Sequence, residues 1–475
     1  MDKGNISEAA DLYEKLSQKE PNNALFLETL GDCMSKLNNT SKAVEYLEKA
    51  NSLVSDPSME SKLMNAYMKN GEFMKAMDIA NKKIKGEPKG DTRSLKKVIS
   101  TCKVGQTLTA HPLNIEIENL GSSINSKEDD ILPFSTADGD LLVFSSNRKS
   151  VQGKKQANGN KPFEVFIANK DNEKLKSLRT IESPVNTSKT DIALGLSSKS
   201  EMIFVFNGSS ISAGNMNSYS NTSGKFISAL ENYENLKGYD LTNGITISQD
   251  LQEMYFSSDH ESSLGGKDIY VSRKLPDGEW SEPINLGENI NTEKDETFPQ
   301  LAQYDNYMYF SSDGHPGMGE RDLFRSKKDK NEWKSPKNLG YPLSTPLDDK
   351  NITLNEKGNA GYFSSVGEDS FGGYDIYSFE YKEATLKHAV MLVYLRDDEG
   401  NAITSVPMVV TDELGDVVGT FYANSNTRRY TLALKPGTYE LSLKENGYEN
   451  YFEKIEVTTE NLNKFNNEIR LQVSQ

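Results

Sequence analysis

The chain has 475 residues, with 70 acidic side chains against 54 Lys and Arg and a formal net charge of −16. That acidic surplus argues against nucleic acid as a partner, and the length exceeds one core, so about two to four domains are expected. Two cysteines exclude a disulfide framework, and no apolar run of about 18 residues is present to span a bilayer as a helix.

Residues 1–100 are rich in Leu, Ala, Met, Glu and Lys, with apolar residues three or four apart, which predicts helices. Ala9, Ala43 and Ala76 stand 34 and 33 residues apart. Each follows a turn such as Asn38-Asn39-Thr40 or Asn70-Gly71, and Pro21, Pro57 and Pro88 punctuate the segment. With Leu30-Gly31-Asp32 and Ala66-Tyr67 at the partner positions, the segment resembles the tetratricopeptide repeat, of period about 34. The resemblance implies a superhelical groove that receives a peptide or a partner helix. Gly4 to Ala9 fits the second helix of such a repeat, so a first helix and an export signal are expected upstream of Met1, in a longer protein. Cys33 is expected in a small core slot, without a bridge to Cys102.

Residues 113–384 carry a second beat. Phe-Ser-Ser recurs at Phe144, Phe256, Phe310 and Phe363, and Glu201-Met202-Ile203-Phe204 supplies a degraded fifth copy. The last two intervals are 54 and 53 residues. Each copy holds short aromatic and β-branched runs between Gly, Asn, Asp and Ser turns, so about four strands fit per unit. Four-stranded units repeated radially are propeller blades. Five blades are predicted, with six as the alternative, and Leu113–Leu120 as the strand that closes the ring. Gly265-Gly266-Lys267-Asp268-Ile269-Tyr270 and its counterparts around Asp322 and Asp375 resemble the TolB-like, WD-type propellers. Asp268, Asp322 and Asp375 are expected to tie turns, and Trp280 and Trp333 to pack in the blades.

From Leu386 the beat stops. Residues 386–473 alternate as a small β-sandwich, and Lys435-Pro436-Gly437-Thr438-Tyr439 followed by Asn446-Gly447-Tyr448 resembles the carboxypeptidase-regulatory-like domain. The alternative is an ordinary small Greek-key sandwich.

The chain lacks Gly-x-Ser-x-Gly, a P-loop and a dinucleotide glycine motif. Its four His residues are far apart, and His260 and His315 read as turn residues. No catalytic, cofactor-binding or metal-binding residue is therefore assigned, and no cofactor is expected. One acidic constellation is periodic. Asp129, Asp295 and Asp348 each lie 15 residues before the Phe of their blade, Asp240 lies 16 before and Asp191 lies 13 before. They form a candidate ring at one mouth of the central channel, reinforced by Asp130, Glu296 and Asp349, which would attract a cation or a basic segment. The alternative is turn-capping Asp that accepts backbone hydrogen bonds.

The fold class expected is multidomain: all-α tetratricopeptide repeats, then an all-β propeller, then a small β-sandwich. That order resembles the PorE-like envelope proteins of Bacteroidota, without their OmpA-like domain. The resemblance implies a non-enzymatic periplasmic scaffold or adaptor at the outer membrane, in type IX secretion or gliding. Its partners would be envelope or secretion-machinery proteins, with peptidoglycan reached only through a domain absent from this chain. The rival readings are a glycan- or peptide-binding receptor and a propeller glycan hydrolase or lyase.

Overall fold

A computed structural model describes residues 3–54, 56–86, 90–148, 161–171, 174–197, 199–210, 213–222, 225–229, 233–302, 306–330, 332–367, 369–382, 388–397, 399–425, 427–443, 450–458 and 466–470. Six helices open it: α1 (Lys3–Lys19), α2 (Ala24–Lys36), α3 (Thr40–Leu53), α4 (Pro57–Lys69), α5 (Phe73–Gly86) and α6 (Arg93–Ala110). Side-chain caps set the starts of α2, α3 and α4. Asn23 accepts from Phe26 N–H, Asn39 from Lys42 N–H, and Asp56 from Ser58 and Met59 N–H, with Pro57 in the first turn. Each cap is worth about 1 kcal/mol. Small residues set the spacing. A Cβ on Gly31 would lie 2.6 Å from Leu47, and one on Gly105 only 2.3 Å from the Phe73 ring. The last helix runs ten residues past the expected boundary near 100, and within that extension Thr107 and Thr109 bond their hydroxyls to backbone carbonyls one turn back. Cys33 and Cys102 are buried free thiols in separate clusters.

Strand β1 (Ile115–Asn119) leads into five antiparallel sheets. Blade 1 comprises β2 (Asp130–Ser135), β3 (Leu141–Ser146), β4 (Glu164–Asp171) and β5 (Lys174–Thr180). Blade 2 comprises β6 (Thr190–Leu196), β7 (Met202–Ser210), β8 (Ala213–Thr222) and β9 (Lys225–Ser228). Blade 3 comprises β10 (Ile245–Ile247), β11 (Glu253–Ser258), β12 (Asp268–Arg273) and β13 (Ile284–Asn285). Blade 4 comprises β14 (Glu296–Leu301), β15 (Tyr307–Ser312), β16 (Asp322–Asp329), β17 (Glu332–Trp333) and β18 (Lys337–Asn338). Blade 5 comprises β19 (Ile352–Leu354), β20 (Ala360–Ser365) and β21 (Asp375–Tyr381), and its fourth strand is β1, paired antiparallel to β21 from Ile115↔Tyr381 to Asn119↔Tyr377. The ring thus has five blades, not six, and is closed by the strand expected to close it.

The repeated Phe-Ser-Ser is the end of each second strand. Phe144, Phe204, Phe256, Phe310 and Phe363 are all at most 5% exposed. Four of them stack on the aromatic ring opposite in the third strand, at 5.8–6.1 Å: Phe144 on Phe166, Phe256 on Tyr270, Phe310 on Phe324 and Phe363 on Tyr377. The middle serine can reach the next blade. Ser145 Oγ accepts from Ala193 N–H, and Ser257 Oγ donates to the Glu296 carbonyl. Trp280 and Trp333 are buried in the blades.

The last domain is a seven-stranded sandwich of β22 (Ala389–Arg396), β23 (Met408–Asp412), β24 (Val417–Phe421), β25 (Tyr430–Leu434), β26 (Gly437–Leu443), β27 (Tyr451–Val457) and β28 (Asn466–Arg470). One sheet has the order β25-β22-β28, the other β24-β23-β26-β27. Alternate side chains Met391, Val393, Met408, Val410, Leu432 and Leu441 fill its core. Lys435-Pro436 ends β25 and Gly437 opens β26, which is the turn feeding a strand that the phrase implied; Asn446-Gly447-Tyr448 lies outside the described residues.

Candidate functional site

The acidic positions gather where one blade meets the next. At four of the five junctions a residue within three positions of the start of the inner strand donates its N–H to a carbonyl of the preceding blade. The donors and acceptors are Asp191 to Phe163 (2.9 Å), Glu296 to Lys267 (2.6 Å), Asp349 to Arg321 (2.9 Å) and Asp130 to Tyr374 (2.7 Å). Each acceptor directly precedes a buried acid: Glu164, Asp268, Asp322 and Asp375, none more than 1% exposed. The donors are equally buried, at 0–4%. Each junction therefore brings two carboxyl groups into a low-dielectric seam. The junction between blades 2 and 3 is built differently. There Gly195 lets the strands approach so closely that a Cβ would lie 1.9 Å from the Ile245 carbonyl oxygen.

The five predicted channel-mouth acids do three different jobs. Asp129 accepts from Tyr374 N–H at 3.0 Å, and Asp295 accepts from Lys267 N–H at 2.9 Å. Asp348 takes the Arg321 guanidinium in a two-point grip, both contacts 2.7 Å. These three are equivalent and clip one blade to the previous one. Asp191 sits one position further on, in the buried strand, held by Thr187 and Asn207. Asp240 closes a local turn, accepting from Thr242 N–H, Thr242 Oγ1 and Asn243 Nδ2. The reinforcing residues Asp130, Glu296 and Asp349 form the inter-blade bonds above. His260 stacks on Tyr239 at 4.1 Å, and His315 donates from Nε2 to the Ile290 carbonyl at 2.7 Å; burial lowers the His315 pKa against the pull of that bond. Sequence reasoning missed the pairing of these acids across junctions. The doublets Asp129-Asp130, Asp295-Glu296 and Asp348-Asp349 were the available signal, with Thr190-Asp191 as the variant.

The channel itself is nearly filled. The ends of all five inner strands (Ser135, Leu196, Ile247, Leu301 and Leu354 among them) line a cavity of about 20 Å³, room for roughly one water. Cross-blade bonds zip it shut: Ser135 to Thr353 Oγ1, and Gln300 and Leu301 to Thr246 Oγ1.

Both faces of the ring meet the flanking domains. On the face where the inner strands begin, the Gly314–Glu320 loop reaches the helices. Met318 is fully buried in the helical cluster that holds Phe73, Ala76, Met77 and Cys102, and Glu320 pairs with Lys69 at 2.7 Å. Lys97, Ser100, Thr101 and Val104 of α6 and Asp295, Asp313, His315, Arg321 and Asp348 of the ring enclose a cleft of about 550 Å³. On the opposite face Arg429 of the sandwich enters between Asp140 (3.0 Å) and Asp138 (3.8 Å). Lys199 lies over the Tyr422 ring. Glu356 is buried in the same seam. Burial, then Asp138, pushes its carboxyl up to about 8 against the pull of Lys199 and Arg429. Among the described residues no cluster of three or more His, Cys, Asp or Glu is placed to hold a metal ion, and no helix is long and apolar enough to cross a membrane.

Residues 1–60 match the tetratricopeptide repeat family, and residues 429–472 match the PEGA domain family. The second match corrects the carboxypeptidase-regulatory-like reading of this domain. The Lys-Pro-Gly-Thr-Tyr phrase marks a turn entering a strand, which many small sandwiches share, so it does not single out that family. No curated protein matches the chain. Among solved structures it is similar to TolB from Acinetobacter baumannii, with 15% identity, 58% of this chain and 60% of that chain covered, and a TM-score of 0.30. It is also similar to a glycoside hydrolase (11% identity, 59% and 95% covered, TM-score 0.40) and to a thermostable family-43 glycoside hydrolase (13%, 54% and 91%, 0.36). The chain therefore spans 60% of the TolB protein's length. The propeller assignment rests on the sheet order and ring closure of the chain itself.

Proposed function

We propose that this chain is a non-catalytic scaffold of the bacterial envelope. It acts in the periplasm at the outer membrane, as an adaptor in a secretion or gliding machine of the type IX kind. Closure of the wheel is the observation that carries the reading. The channel is nearly filled, its acids are engaged between blades or in local turns, and each face is met by a flanking domain, so the surfaces left for partners are broad and lie on the flanks. The tetratricopeptide match supports protein partners. The open cleft at the helix ends, where Leu25, Leu53 and Val54 are exposed, gives the helices apolar surface for them. No residue here is assigned to peptidoglycan.

Cross-linking in living cells followed by capture of this chain tests the reading, run beside an assay of the purified chain on a panel of envelope glycans. Stoichiometric recovery of envelope-complex subunits is expected. Glycan cleavage by the purified chain would overturn the scaffold reading in favour of a hydrolase. Tight glycan binding without protein partners would favour a receptor.

A further inference from the structure

A sheet ends in edges whose outward N–H and C=O groups can take up another strand, and proteins guard such edges with charge, shortness or cover. In this molecule the inner edges of the five blades line the nearly filled channel. On the outer edges Glu118 stands on β1, Lys176 on β5 and Lys225 on β9, while β13, β17 and β18 are two residues long. In the sandwich β27 carries Lys454 and Glu456, β28 carries Glu468, and β25 has no exposed residue. Among the described residues β24 is the exception. It pairs with β23 alone, at the end of the order β24-β23-β26-β27. Val417-Val418-Gly419-Thr420-Phe421 holds no charge and no proline, and the next charged residue is Arg428. Leu414, Val417, Val418 and Tyr422 are exposed, the first two at 82% and 65%. A bulge against β23 at Val418 twists this edge but leaves it uncharged. The ring does not cover it either, since Tyr422 stays exposed although Lys199 lies over its ring.

Only an extended chain satisfies a bare ladder of backbone groups, and the strand is complementary to itself. We propose that β24 is a self-association edge, at which two copies of the chain pair antiparallel about a two-fold axis at Gly419 and join their sheets into one. That register sets Val417 across from Phe421 and Val418 across from Thr420, with a β-branched side chain in each pair. It sets Asp416 across from Tyr422 and Glu413 across from Ser425, so no like charges are opposed. A parallel pair would instead lay Asp416 beside Asp416. The symmetry is closed, so association stops at two copies. Each copy carries a net charge of −16, and two such chains approach with least repulsion along an edge to which neither brings charge.

Sedimentation of the full chain from roughly 1 to 200 µM tests this. A concentration-dependent dimer is expected, and it is expected to tighten as salt rises, because screening relieves the repulsion between two acidic chains. A monomer throughout overturns the proposal, and so does a dimer that salt dissociates, since ion pairs would then hold it. Val418→Lys and Thr420→Glu, both at exposed positions, are each expected to weaken the dimer by about tenfold. Mixing the two variant chains is expected to restore association, because the antiparallel register sets one new charge across from the other. A dimer unchanged in either variant overturns the proposal, as does a mixture that stays monomeric. Hydrogen exchange of the native chain guards against variants that fail to fold. Exchange within Val417–Phe421 is expected to slow as concentration rises, and exchange independent of concentration overturns the pairing.

Discussion

Glu296 N–H donates to the Lys267 carbonyl at 2.6 Å, while the neighbouring Asp295 carboxylate accepts from the Lys267 N–H at 2.9 Å. One residue of blade 3 is thus gripped on both sides by an acidic doublet of blade 4. The same grip at Tyr374, by Asp129 and Asp130, closes the ring from blade 5 to blade 1. The acids at these positions work on the fold before any question of a ligand arises.

Asp129→Asn, Asp295→Asn and Asp348→Asn are therefore expected to lower stability while leaving partner affinity unchanged. The largest loss belongs to Asp348, whose two-point contact with Arg321 is three-quarters or more buried on both sides, at about 1–3 kcal/mol. Denaturant midpoints give the first quantity and a pull-down titration the second. A lost partner with unchanged stability would mean that the acids form a binding ring.

Met318 is the ring's knob in the helical core. Met318→Ala should cost about 2–4 kcal/mol in the stability of the helical domain and raise hydrogen exchange in α5 and α6, with the blades little affected. Exchange measured by mass spectrometry resolves the two regions.

Gly195→Ala tests the junction that lacks an acid pair. Its Cβ would meet the Ile245 backbone oxygen at 1.9 Å, and backbone cannot yield as a side chain tip can. A loss above about 3 kcal/mol, or failure to fold, is expected from thermal unfolding.

Glu356→Gln probes the seam between ring and sandwich. The carboxyl is raised by burial to about 8, so the native seam is most favourable in acid and weakens between about pH 5 and pH 8 as the unfolded chain releases its proton and the folded chain does not. The variant should remove about 1 kcal/mol per pH unit of that decline. Stability measured at pH 5, 6.5 and 8 shows whether the slope falls.

Much of this architecture was written in the sequence as rhythm. Phe-Ser-Ser marks the second strands because a buried ring and two small hydroxyls suit a strand squeezed between blades, and its period counted the blades correctly even where blade 2 had lost the serines. Ile115–Asn119 was legible as the closing strand from its alternation. The acid pairs were not, because Asp268 and Glu296 are 28 residues apart and meet only when two blades stack. Counting back from Phe204 also placed Asp191 with Asp129, although it is the neighbour Thr190 that occupies the equivalent position. The sandwich was read correctly as a sandwich, but its family was not, since a turn phrase constrains a hairpin and leaves the rest of the domain open.

The most direct test of the closed wheel is a disulfide across its seam. Glu116 in β1 lies opposite Glu380 in β21, both exposed, so Glu116→Cys with Glu380→Cys places two thiols in register without touching the core. The bridge is expected to form under mild oxidation and, by closing a loop that contains the whole ring, to stabilise the chain by about 4–5 kcal/mol. Thiols that stay free in the folded protein would contradict the closed ring and the scaffold built on it.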